Sequence, residues 1–264
     1  MCFNEKRVIG RCLEALAFCD EIVVVDDCST DGTWELLQGW PKVKAIQHRH
    51  TTFAAQRQLG KDAAAGRWIL TMDADEYVTD ELASAIRSAI SRKDAPDGFY
   101  LRRRNPYPRT LKGHFWTRHP RLIRADRCEW EVTDNPHSPL RLEGLRMETL
   151  QGAHLEHEPL PDLATMLRKS INRSLIMATL DRARGRPSGS LRMLASSFGR
   201  FAKFYFREGA WRFGIDGLSM AVAIGFEAWA KQAFLAEAPI DGVESLQDGG
   251  PGSYPSGTSF VTTK

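Results

Sequence analysis

After Asn4, apolar residues recur at Val8, Ile9, Cys12, Leu13 and Leu16, the stripe of an amphipathic helix. Glu21 to Val25 follows as an unbroken run that is mostly β-branched and stops at Asp26-Asp27, the pattern of a strand buried on both faces. Ser29-Thr30-Asp31-Gly32 offers turn and capping chemistry before a short helix around Trp34 to Leu37, and another strand is expected near Val43 to Gln47. A helix from about Phe53 to Ala64 leads through Gly66 to a strand, Trp68 to Met72, which stops at Asp73-Ala74-Asp75-Glu76. Asp80 is placed to cap a further helix carrying Leu82, Ile86 and Ile90 on one side. Strands alternating with helices predict an α/β fold, a mostly parallel sheet flanked by helices, with ligands outside the carboxyl ends of its strands.

Past Gly98 the pattern changes to short strands, Phe99 to Arg103 and Arg121 to Arg124, among Pro- and His-rich loops. From about Leu163 the chain reads as helical and basic, with a break at Gly185 to Gly189. The expected division is an α/β domain over 1–160, a basic helical region over 161–238 and a disordered tail over 239–264, poor in residues to bury.

The chain has 264 residues, enough for a substantial core, and its net charge of +3 is too near balance to imply nucleic-acid binding. Five cysteines without CxxC spacing argue against a zinc knuckle or a disulfide scaffold and suit a reducing cytoplasm. No basic-then-apolar leader opens the chain. The longest apolar stretch near the C-terminus, Gly217 to Phe226, is ten residues, too short to span a bilayer. Nine Lys or Arg residues against one acid lie between Arg102 and Arg127, either a solvated face or an anion-binding one.

In extended backbone, residues i and i+2 point to one side, so Asp73 and Asp75 can share a site suited to a hard divalent cation such as Mg²⁺ or Mn²⁺. The plainer reading is an acidic turn that caps the next helix. Asp26-Asp27 at a buried strand end could likewise accept hydrogen bonds from a base or ribose, or cap a helix. Arg57, on a helix near the same rim, has a fork of donors suited to phosphate or to an acidic side chain.

Asn4-Glu5, Val25 to Thr33, Gln56-Arg57 and Gly66 to Glu76 together resemble the ordered motifs of family 2 glycosyltransferases with the GT-A fold, and Asp73-Ala74-Asp75-Glu76 resembles the bacterial lipopolysaccharide core β-glucosyltransferase subgroup. The resemblance implies inverting transfer of a sugar from a nucleotide-diphosphate donor, usually UDP-linked, to an acceptor hydroxyl. It implies a donor site including Asn4, Glu5, Asp26, Asp27, Arg57 and Asp73, and a divalent metal held by Asp73, Asp75 and His157. His157 ranks above His154 because Lys169 to Arg173 resembles the subgroup's continuation after its His. Inversion needs a general base, expected at Asp134, with Glu131 second.

From Thr165 to Arg212, eleven Lys or Arg residues face only Asp181 and Glu208. On a helical wheel Leu191, Leu194, Phe198, Phe201, Ala202 and Tyr205 share one side, opposite Arg192, Arg200, Lys203 and Arg207. Such a helix lies on an anionic membrane or packs its aromatic side on the catalytic domain. Phe204 to Gly209 also resembles the subgroup's membrane-associated tail. The expected setting is therefore the inner face of the plasma membrane, with a lipid-linked or lipopolysaccharide-core acceptor. One departure is plain: family members open with a hydrophobic strand, of which Met1-Cys2-Phe3 keeps only the end. A start placed downstream of the true one, or a truncated, non-catalytic docking protein, would each account for it; the absent strand should leave an open slot in the sheet.

Overall fold

The computed structural model describes residues 1–49, 52–131 and 140–237, with 258–263 described as backbone. Helix α1 (Lys6–Ala15) leads to strand β1 (Glu21–Asp26), α2 (Thr33–Gln38), β2 (Val43–Gln47), α3 (Phe53–Asp62), β3 (Trp68–Asp73), β4 (Glu76–Val78) and α4 (Asp80–Ile90). Next come β5 (Gly98–Pro106), β6 (His114–Arg124), β7 (Met147–Thr149) and β8 (Leu155–His157), then α5 (Leu163–Ala183), α6 (Ser190–Ala202), α7 (Gly214–Ala236) and β9 (Thr258–Thr263). The α/β class and the elements expected up to α4 are present. Thr79, not Asp80, caps α4, its side chain accepting from the Leu82 N–H at 3.2 Å.

Residues group into two compact units: 1–104, 117–158 and 256–264 in the first, 105–116 and 159–255 in the second. Residues 105–116, expected within the first domain, thus group with 159–255.

In the first unit, alternation along the strands builds the core. Ile22 and Val24 of β1, with Trp68, Leu70 and Met72 of β3, pack among Ile9, Leu13, Leu82 and Ile86. Val23 and Ile69 point the other way, into a cluster with Ala54, Ile123 and Trp130. Both faces are covered, which is why these strands read as continuous apolar runs.

The sheet order is β2-β1-β9-β3-β6-β5-β8-β4, with β7 beside β5. β1 pairs β2 in parallel, whereas β3 pairs β6 and β4 pairs β8 antiparallel, so the sheet is more mixed than the strand-helix alternation predicts. An open slot was expected in the sheet; between β1 and β3 lies β9, which runs antiparallel to both. Residues 258–263 thus depart from the disordered tail expected over 239–264, and the earlier part of that span, 239–257, lies outside the described residues.

The second unit is built around α5, α6 and α7. Buried Asp181 of α5 accepts from Lys231 of α7 and from Arg186, both at 2.9 Å. Tyr107, Phe115, Phe204 and Phe213 form an aromatic cluster. The ten-residue apolar stretch is part of a longer helical segment, Ala210–Ala236, which by length and composition is apolar enough to cross a membrane (mean hydropathy 1.2). Single charges at Asp216, Glu227 and Lys231 lie within the helix without interrupting it, so the helix is longer than the apolar run read from the sequence. The apolar side of α6 is largely exposed at Leu191, Leu194 and Phe198, while Phe201 and Tyr205 pack against the aromatic cluster.

Candidate active site

The rim at the carboxyl ends of β1 and β3 is stitched by short polar contacts. Fully buried Asp26 accepts the Ser29 N–H (2.9 Å), the Ser29 hydroxyl and the Gln47 amide (3.4 Å), with the Cys2 thiol at 3.5 Å. Asn4 accepts the Thr30 N–H at 2.8 Å, and the Asn4 N–H donates to Ser29 Oγ at 2.9 Å. The Glu5 N–H donates to Thr33 Oγ1 at 3.0 Å. Burial raises the Asp31 carboxyl, but hydrogen bonds from Thr33 and the Lys6 N–H outweigh it and hold the group below its ordinary range. Asn4 and Cys28 both have φ of 54°, left-handed backbone held by this network. Asp26 and the Asn4 carbonyl oxygen are therefore occupied in shaping the loop. Asp27, half-buried beside them, has its N–H on the Cys2 carbonyl at 2.9 Å.

The second carboxylate cluster divides. Asp73 Oδ2 lies 2.8 Å from Arg121 and 3.7 Å from Arg103. Both arginines also hold fully buried Glu76, Arg103 at 2.6 Å. Burial raises the Glu76 carboxyl despite these cations. Burial depresses Arg121, and its two carboxylates reverse this and hold it above its ordinary range. Arg57 of α3 is depressed by burial and feels the Asp73 charge, so it stands near the same group.

Asp75 turns elsewhere. The β4–β8 ladder sets Glu76 opposite His157, and this brings His157 Nε2 to 3.3 Å from Asp75 Oδ2. Asp75 Oδ1 is buried without a hydrogen-bond partner. A buried carboxylate oxygen left bare beside an imidazole is a costly arrangement in an empty protein and a fitting one for a cation. His154 instead pairs with Glu156 at 2.9 Å. The expected three-residue metal set is not assembled: Asp75 and His157 meet, Asp73 is taken by arginine, and among the described residues no group of three His, Cys, Asp or Glu side chains could hold a metal.

Three residues here escaped the sequence reading as site members: Arg103, Arg121 and His119. His119 is lowered to about 4 by burial and by Arg121 and Arg103, and donates to or accepts from Thr117 Oγ1 at 3.0 Å. The basic run between Arg102 and Arg127 was the available signal, because its strands carry Arg103 and Arg121 to the acids. Of the expected bases, Glu131 is exposed and Asp134 lies outside the described residues. An isolated antiparallel bridge pairs Trp130 with Leu140, and the Trp130 N–H donates to Gln58 of α3 at 3.2 Å.

The chain is 29% identical over 252 residues to the lipopolysaccharide core biosynthesis glycosyltransferase LpsC of Rhizobium meliloti, covering 91% of this chain and 89% of that protein. It is 40% identical over 100 residues to the succinoglycan biosynthesis protein ExoO of the same organism, over 35% of this chain and 28% of that one. A crystal structure of Staphylococcus aureus TarS 1–349 with UDP-GlcNAc aligns at a TM-score of 0.46 and 14% identity, over 89% of each chain. The family profile described as glycosyl transferase family 2 matches residues 1–140, more than half of the sequence and all of β1 to β6 with their acidic rim. The chain therefore belongs to glycosyl transferase family 2 and is a glycosyltransferase.

Proposed function

We propose that the chain transfers a sugar, with inversion, from a nucleotide-diphosphate donor, UDP-linked, to a lipid-linked glycan or lipopolysaccharide-core acceptor at the cytoplasmic face of the inner membrane. The observation that carries the donor reading is the bare, buried Asp75 Oδ1 with His157 beside it, at the end of a β3 strand whose preceding acid is neutralised by arginine. Similarity to LpsC over most of both chains supports the acceptor class.

Asp75 and His157 would hold a divalent ion, Mg²⁺ or Mn²⁺, beside the donor's diphosphate. Bound there, it would supply Lewis-acid stabilisation of the charge that gathers on the departing diphosphate. Asp73 is reassigned from metal ligand to ion-pair partner, positioning Arg121 and Arg103 at the rim. Asp27 is assigned to contact the nucleoside, with the Asn4–Thr33 network shaping the loop that follows β1. The base is assigned to Asp134, with Glu131 second.

Incubation with UDP-, GDP- and ADP-sugars, scored by nucleotide release with and without EDTA, tests this. Release from UDP-sugars that stops in EDTA is expected. Undiminished turnover in excess chelator would remove the cation from the reading.

A further inference from the structure

Two helices of the second unit carry apolar stripes that stay substantially exposed among the described residues. On α6 these are Leu191, Leu194 and Phe198, and on α7 Ile215, Val222 and Trp229, ranging from 44% exposed at Trp229 to 82% at Leu191. Within each helix the positions fall about 100° per residue apart into one narrow band. The helices meet where Gly225 of α7 lies beneath the Ser197 carbonyl and Phe201. The chain reverses between them, so an equal rotation away from this seam turns both bands to the same side. Six large side chains in water on one face of a small unit are more than scattered surface apolarity.

The charge around the bands selects the occupant. From Ser190 to Arg212 there are five basic residues, Arg192, Arg200, Lys203, Arg207 and Arg212, and one acid, Glu208. Exposed Leu191, Phe206 and Trp211 are each followed directly by an arginine, and the Arg212 guanidinium sits 5.4 Å from the Trp211 ring centroid. Apolar groups entering acyl chains with arginines beside them at headgroup level suit an anionic bilayer. A second copy of the chain would bring the same arginines against each other. A span is disfavoured because α7 has a polar side already in use, with Lys231 on Asp181 and Glu227 on Arg173 at 3.7 Å.

We infer that the exposed faces of α6 and α7 form one docking surface that lies in the headgroup region of an anionic membrane. This deepens the acceptor reading but stands on residues that reading does not use, so vesicle binding and catalysis can fail separately.

The test is sedimentation of the full chain with phosphatidylcholine vesicles, with and without phosphatidylglycerol. Binding is expected to strengthen with phosphatidylglycerol and weaken with salt. Phe198→Gln and Val222→Gln, both at exposed positions, should each reduce partitioning about tenfold. Arg207→Gln with Arg212→Gln should lower it several-fold on anionic vesicles alone. Release of the bound chain by alkaline carbonate is expected, since it lies on the surface. Absence of binding to either vesicle, binding indifferent to both apolar variants, or resistance to carbonate would overturn the proposal. So would a dimer in sedimentation velocity that the same variants dissolve while vesicle binding is absent. Loss of vesicle binding with donor hydrolysis intact would sink this surface and leave the donor site standing.

Discussion

Arg121 is the residue on which the rim turns, because it is buried and serves two carboxylates at once. Replacing it with Met leaves Asp73 and Glu76 short of a cation inside the protein, where an uncompensated charge costs about 3–5 kcal/mol. Urea unfolding of Arg121→Met should show a loss of that size, and a change below about 1 kcal/mol would mean the cluster is better solvated than its burial implies. His119 gives a pH signature. Folded, it stays neutral down to about pH 4, whereas an unfolded His protonates near 6.5, so the unfolded state binds more protons between these values. Stability should therefore fall as pH drops from 6.5 toward 4, and His119→Gln should flatten that slope; parallel curves for both proteins would exclude His119 as its source. The strand-end Asp73-Ala74-Asp75 stood out locally in the sequence, whereas His157 was singled out only through the resemblance of the Lys169 to Arg173 run to the subgroup's pattern. Arg103, Arg121 and His119 were not, since a basic run looks the same whether it faces solvent or returns to two acids 27 to 48 residues earlier.

At the scale of elements, close packing at glycine marks where helices cannot separate. A Cβ on Gly217 would sit 1.8 Å from the Ala210 carbonyl oxygen, so Gly217→Ala must push α7 away from the turn before it. A loss of about 1–3 kcal/mol is expected in thermal or urea unfolding, and a neutral result would show that the turn yields freely. β9 is the other exposed joint. Deleting residues 256–264 should bare the edges of β1 and β3, lower the urea midpoint and promote association through unpaired strands. An unchanged midpoint would show that this strand contributes nothing to the sheet. The sequence announced β1 and β3 by their apolar runs, and it led to the expectation of an open slot somewhere in the sheet. It did not announce the occupant, because Thr-rich 258–263 follows a long Gly, Pro and Ser stretch and takes its partners from residues some two hundred positions away.

Across the molecule, the family profile and the acidic rim coincide over the first unit, while the exposed apolar faces belong to the second. The proposed donor chemistry and the proposed docking surface thus rest on separate residues and are separable by mutation. The claim beneath both the reassignment of Asp73 and the donor reading is that Asp75, with His157, holds a cation against a nucleoside diphosphate. Calorimetric titration of UDP into the wild-type chain and into Asp75→Asn, with Mn²⁺ and then with EDTA, addresses it most directly. UDP should bind the wild type with Mn²⁺ and lose at least about tenfold in affinity either in EDTA or in Asp75→Asn, as expected when a charged ligand contact is removed. Equal UDP affinity in all of these conditions would contradict it.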